Sequence, residues 1–140
     1  YSVELSNPKD FQLNKFFYKT IGKNCHWVDR LVWTEFDWTK YISDENLSTY
    51  IIKNKDEMVG YFELLFNKKT KEAEIAYFGI LEEYFGRKIG GYLLSEAIKI
   101  SFNLGCLRLW VHTSSLDNKN ALLNYQSRGM KIFKSEIIIR

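Results

Sequence analysis

The chain is predicted to fold as an α/β domain with a mixed, mostly antiparallel central sheet flanked by helices, and three observations carry that expectation. From Leu47 the patterning changes to short strand-like runs separated by polar turns. Leu93, Leu94, Ala97, Ile98 and Ser101 then recur at helical spacing ahead of Gly105. After it, Leu107, Leu109, Val111 and Thr113 alternate with Arg108, Trp110 and His112, the period-two signature of a strand. A strand, a helix and a strand in that order form a crossover, which makes the two strands parallel.

The elements follow in order. Asn can cap free amides and Pro tolerates the first helical position, so residues 8–21 read as a helix stopped by Gly22. Phe11, Leu13, Phe16, Phe17 and Ile21 supply its apolar side. An aromatic, irregular connection leads from Cys25 to Trp33, and a shorter helix starts near Glu35 behind Thr34 and includes Trp38 and Tyr41. Residues 48–53 and 58–66 read as a hairpin joined across 54–57, and a third strand, 72–80, follows the turn at 67–70. The crossover helix spans 90–104, with Gly105 where a left-handed helix terminus is favoured. A helix over 118–128 ends at Gly129, and a last strand, 131–139, completes the order.

A length of 140 residues fits one domain, residues 1–140, and hence one active site. The hydrophobic fraction of 46% and aromatic fraction of 16% supply a core and argue against disorder. A net charge of +3, with its bases dispersed among acids, argues against a nucleic-acid partner. The sequence has neither a signal-like start nor an apolar stretch long enough to cross a bilayer, so no membrane partner is expected. Cys25 and Cys106 then read as unpaired thiols in a reducing cytoplasm. His112 has no second histidine or acid at ligand spacing, so no metal site is expected, and Cys106 reads as a buried apolar residue.

Two segments carry candidate chemistry. Residues 78–92 run from a strand through a loop containing Gly86, Arg87, Lys88, Ile89, Gly90 and Gly91 into a helix. The first amides of a helix lack intrahelical partners and its macrodipole is positive there, while glycines let an anion approach the backbone. Arg87 and Lys88 add full charges, but many helices begin with glycines, so the loop alone leaves a plain connection open. The second segment is 117–129, where Asn118 and Tyr125 are seven residues apart and share one helical stripe with Ala121 and Leu122 between them. That stripe reads either as a ligand-lining face or as a capping Asn and a packed Tyr.

Together the two segments resemble the Gcn5-related N-acetyltransferase (GNAT) superfamily. Its later helix reads Asn-x-x-Ala-x-x-x-Tyr-x-x-x-Gly, matched in full by Asn118, Ala121, Tyr125 and Gly129. Its loop reads Gln/Arg-x-x-Gly-x-Gly/Ala, where Phe85 and Lys88 depart from the pattern and Gly90 fits. Lys88 is therefore tolerable only if that backbone position keeps φ negative, and its charge can partly replace the missing Arg. The stretch 73–80 resembles the family's fourth strand, with Glu74 at the position of a general-base glutamate in histone-acetylating members, and the likeness spans residues 58–134. His26 to Arg30 also looks like a stretch of uncharacterised bacterial members.

The resemblance implies acetyl-coenzyme A as acyl donor, a primary amine as acceptor and direct transfer in a ternary complex. It implies that the backbone of Phe78, Gly79 and Ile80 pairs with the pantetheine arm. The amides of residues 86–91 would hold the pyrophosphate, Asn118 would touch the cofactor and Tyr125 would face the thioester sulfur. An ammonium must lose a proton before attack, and a departing thiolate leaves more readily when protonated, which suits Glu74 as base and Tyr125 as acid. Glu63, in an otherwise apolar strand, is the alternative base or acceptor-side group, or else an outward residue. Trp27, Asp29, Arg30 and Trp33 are expected to shape the acceptor pocket, the alternative being core aromatics with Asp29 paired to Arg30. The expected partner is the amine substrate, and a homodimer is left open. A coenzyme A-binding regulator without turnover and a basic nucleic-acid module are the rival functions.

Overall fold

The computed structural model describes residues 1–25, 27–112, 131–133 and 136–139. Their elements are β1 (Ser2–Leu5), α1 (Phe11–Cys25), α2 (Glu35–Ile42), β2 (Leu47–Asn54), β3 (Glu57–Asn67) and β4 (Glu72–Ile80). A 3-10 turn (Glu82–Tyr84) leads to α3 (Ile89–Asn103), β5 (Arg108–His112), β6 (Lys131–Phe133) and β7 (Glu136–Ile139). The strands form one sheet in the order β1-β2-β3-β4-β5-β7-β6. Only β4 and β5 run parallel, so the expected crossover through α3 is present. Among the described residues, no helix is long and apolar enough to cross a membrane.

Helix α1 begins at Phe11 rather than at Pro8, and the Asn7–Pro8 bond, which is cis, lies outside it. Asp10 sets the first turn instead: its Oδ1 accepts from the Gln12 amide at 3.0 Å and its carbonyl from the Leu13 amide at 3.2 Å. Nor does Gly22 stop the helix, which runs on to Cys25. A Cβ on Gly22 would stand 2.8 Å from Trp27 Cβ, so the glycine serves close packing of the following connection. Thr34 and Asp37 close α2 with a reciprocal capping box.

Helix α3 ends as its sequence indicates. Gly105 has φ 102, its amide donates to the Phe102 carbonyl, and the Cys106 amide donates to the Ser101 carbonyl, the paired bonds of a Schellman terminus. Two features were not legible in the sequence. Strand β1 is short, mostly exposed and at the sheet edge, so no alternation marks it. The expected last strand is two strands, β6 and β7, paired antiparallel with each other, and β7 also pairs with β5. Lys134 and Ser135 between them carry no Gly, Pro or Asn to announce a turn. The helix expected over 118–128 lies outside the described residues.

The sheet buries a different cluster on each face. Against α3 pack Ile52, Phe62, Leu64, Ile75 and Leu109, meeting Leu93, Leu94 and Ala97 of the helix. Under α1 lie Phe17, Ile21, Ile51, Tyr61 and Leu81, with the Phe17 and Tyr61 rings stacked at 4.7 Å. A bulge in β4 decides which residues face which cluster. Glu63 pairs with Tyr77 but Leu64 with Ile75, which leaves Ala76 as the extra residue. Ala73 and Ile75 face α3 before the bulge, and Phe78 and Ile80 face it afterwards, so the parity switches at Ala76.

Candidate active site

The loop ahead of α3 has the build of an anion cradle. Gly86 and Lys88 have φ 80 and φ 60 on either side of Arg87, and left-handed residues in a turn of this kind can aim backbone amides at an anion. Among the described residues, no backbone carbonyl accepts from the amides of Gly86, Arg87 or Lys88. The Lys88 side chain makes no cap bond to α3, and the first turn of the helix holds no acid. Arg87 lies 5.2 Å from the Tyr84 ring, and the Tyr84 hydroxyl donates to Glu57 at 2.5 Å, which fixes the cation beside the loop. The condition that Lys88 keep φ negative is not met. It takes the left-handed conformation glycine would favour, at about 1–2 kcal/mol of strain.

Strand β4 leads into that loop. Its parallel ladder with β5 runs from Glu72 opposite Arg108 to Ile75 opposite Val111, and β4 continues beyond it to Ile80. Gly79 lies under α1, where a Cβ would come within 2.5 Å of Ile21 Cγ2. Glu74 is half-buried on the face opposite α3 and, among the described residues, has no hydrogen-bond or ion-pair partner. It opens into a cavity of about 510 Å³ lined by Asp44, Asn46, Leu65, Glu72, Glu74 and Trp110. A half-buried carboxylate at the edge of a cavity can accept a proton from a group bound there.

Glu63 is neither outward-facing nor free. It is fully buried, and its Oε1 accepts from the Tyr41 hydroxyl at 2.6 Å and from Arg30 at 3.0 Å. Its Oε2 accepts from Asn14 at 2.9 Å and from the same Arg30 nitrogen at 3.1 Å. Arg30 pairs with this carboxylate rather than with Asp29, which is exposed. Trp27 is half-buried against Tyr77 and Tyr18. The structure thus joins Arg30 to Glu63 and places Trp27 next to them through Tyr77, while Asp29 stays outside. Sequence reasoning missed Asn14, Tyr18, Tyr41 and Tyr77. The one usable signal was an acid in an apolar strand, which demands a buried cation somewhere in the chain. Asn118 and Tyr125 lie outside the described residues.

Several weak acids of the domain titrate late. Burial, reinforced by the Glu63 carboxylate, pushes the Tyr41 and Tyr61 phenols above the ordinary tyrosine range. Burial raises Tyr77 as well, against the pull of Arg30, and it raises the Cys106 thiol. These groups are neutral when protonated, so their stability contribution is complete at neutral pH. The unfolded chain loses these protons first, from about pH 8.5–9 for the thiol and about pH 10 for the phenols, and folding weakens from there upward. Each phenol adds up to ~1.4 kcal/mol per pH unit to that loss. Urea midpoints measured from pH 8 to pH 11.5 should decline above about pH 9 and most steeply above pH 10. A midpoint that rises across that range would contradict the assignment.

The sequence model of the acetyltransferase (GNAT) family matches residues 12–130. No curated protein sequence gives a significant match. Among solved structures, the IAA acetyltransferase from Bacillus cereus is 23% identical with a TM-score of 0.70, and the match covers 95% of this chain and 79% of that one. An acetyltransferase from Bacillus subtilis, solved in complex with coenzyme A, is 17% identical with a TM-score of 0.70, covering 98% and 96%. A variant of the spermidine N-acetyltransferase from Vibrio cholerae is 17% identical with a TM-score of 0.76, covering 99% and 92%.

Proposed function

Because the chain belongs to the acetyltransferase (GNAT) family, we propose that it moves an acetyl group from acetyl-coenzyme A to a primary amine within a ternary complex. The observation that carries this reading is the loop before α3, whose left-handed residues Gly86 and Lys88 and uncapped helix end suit a pyrophosphate. Gly86, Arg87, Lys88, Ile89, Gly90 and Gly91 would hold it, with the backbone of Phe78, Gly79 and Ile80 along the pantetheine. A coenzyme A-bound relative of the same fold supports that choice of cofactor.

Acetyl-coenzyme A supplies the activated acyl carbon. The ammonium would first give one proton to Glu74; its nitrogen then bonds to that carbon as the carbon–sulfur bond breaks, Tyr125 would protonate the leaving sulfur, and the second surplus proton on nitrogen returns to the Tyr125 phenolate. Glu74 is the better base because it faces a cavity, whereas every oxygen of Glu63 is already engaged. A Tyr near pKa 10 protonating a thiolate whose conjugate acid lies near 8.5 is only mildly uphill, so its rate contribution is modest. Asn118 would contact the cofactor. Trp27 would wall the acceptor side, while Arg30 and Glu63 brace that wall from within.

Coenzyme A thiol release, followed across primary monoamines, polyamines and peptide amines, tests the reading. At least one class should give turnover saturable in both substrates with intersecting initial-rate lines. Cofactor binding with no turnover on any amine would replace it with a coenzyme A-binding regulator. Parallel lines would point to an acyl-enzyme instead of direct transfer.

A further inference from the structure

The connection between α1 and α2 turns one cation inward. Arg30 is 6% exposed, while its neighbours Val28, Leu31 and Val32 are 62%, 54% and 84% exposed. Its guanidinium carbon lies 4.1 Å from the Tyr41 ring centroid, 4.3 Å from Tyr77 and 4.7 Å from Trp33. Trp38 and Tyr18 complete the enclosure at 5.5 Å and 5.7 Å. One guanidinium nitrogen reaches both oxygens of Glu63, and the Arg30 amide donates to the Tyr18 hydroxyl at 2.8 Å. Five rings around a buried carboxylate make a receptor for a planar, weakly hydrated cation, and the chain fills it with its own side chain.

The enclosure borders the acceptor side of the sheet through Tyr77. That residue follows the Ala76 bulge on β4, and its ring meets Trp27 edge-on at 4.7 Å. Trp27 in turn packs against Gly22 of α1. A shift of the Arg30 head therefore bears on Tyr77, which it contacts, and through the Tyr77 ring on Trp27. Between Trp27, packed on Tyr18 and Tyr77, and Trp33, packed on Trp38 and Tyr41, Arg30 is the buried charged residue of the connection, while Val28, Leu31 and Val32 are exposed.

We infer that Arg30 is a positioning residue, a guanidinium-keyed latch that holds the connection between α1 and α2 closed beside β4 and thereby sets acceptor affinity. Its last clause rests on the amine-acetylation reading above. Lysine would not replace it, because a compact, strongly hydrated ammonium cannot lie flat among the rings as a guanidinium does.

Hydrogen exchange and kinetics on Arg30→Ala and Arg30→Lys test this, with ethylguanidinium and ethylammonium as the added probes. In Arg30→Ala, exchange across residues 27–34 should rise about tenfold or more while β3 stays protected, and ethylguanidinium should reverse the rise where ethylammonium does not. The amine KM should rise about tenfold, more than kcat changes, and fall again with the same probe. If Arg30→Ala does not fold, Arg30→Lys carries the test, because it keeps a positive charge near Glu63 and loses only the planar, weakly hydrated head that stacks among the rings. Unchanged exchange in a folded variant overturns the latch, and equal rescue by both probes overturns its guanidinium key. A loosened connection with an unmoved KM overturns the role in acceptor affinity. If the unaltered protein acetylates no amine, the acceptor clause falls with the functional reading, and the exchange data still decide the latch.

Discussion

Glu63→Ala is expected to destabilise the fold by about 3–5 kcal/mol, the usual consequence of stripping one partner from a buried ion pair. The variant leaves Arg30 at 6% exposure without a counter-charge and deprives Tyr41 and Asn14 of their acceptor. Aromatic faces attract the guanidinium, but they do not replace a carboxylate that accepts from three side chains. At roughly 3–4 °C per kcal/mol for a domain of this size, Tm should fall on the order of 10–15 °C. The double variant Arg30→Met, Glu63→Leu should recover a large part of the loss, because it removes both charges and keeps the volume filled. Urea unfolding of the single and double variants measures this directly. A single variant within about 1 kcal/mol of the parent would mean that the network is wet or unformed.

Glu74→Gln is expected to lower kcat by about a hundredfold or more while leaving Tm nearly unchanged. The contrast with Glu63 comes from the geometry. Among the described residues Glu74 has no hydrogen-bond or ion-pair partner and it faces a cavity, so an uncharged isostere disturbs no packing. The ammonium of the acceptor would then have to lose its proton to solvent, so raising the pH toward the acceptor's own pKa should restore part of the rate. A variant with the parent's kcat would remove Glu74 from the mechanism. A variant that unfolds early would make the residue structural.

The elements that announced themselves were those with strong periodicity or a local stop. The α3 helix and its Gly105 terminus, the Thr34 start of α2 and the three antiparallel strands were all readable within a residue or two. Misreadings came where tertiary packing overrides a local signal. Gly22 looks like a helix stop but makes room for Trp27, and Asn7–Pro8 looks like a helix start but precedes the true cap at Asp10. The bulge at Ala76 left a trace, since the apolar parity moves from Ala73 and Ile75 to Phe78 and Ile80, but such a shift has no sequence code of its own. In the candidate site, the turn into α3 was readable because helix starts follow local rules, whereas Glu74 was singled out by the family resemblance and its role is a proposal. The Arg30 enclosure was not legible, because its rings come from α1, α2, β4 and the connection, and nothing in their spacing shows that they converge.

Thermal unfolding in the presence of coenzyme A and acetyl-coenzyme A tests the cofactor loop most directly. A ligand at about 100 times its Kd should stabilise the native chain by roughly 2.7 kcal/mol, a rise in Tm on the order of 10 °C. Both ligands should give a saturable rise, and Gly90→Glu should abolish it. That variant should still fold, since an acid in the first turn of α3 suits the helix dipole, yet its carboxylate would repel the phosphates. No shift with either ligand at millimolar concentration would contradict the reading of residues 86–91 as a pyrophosphate cradle, and the proposed acetyl transfer with it.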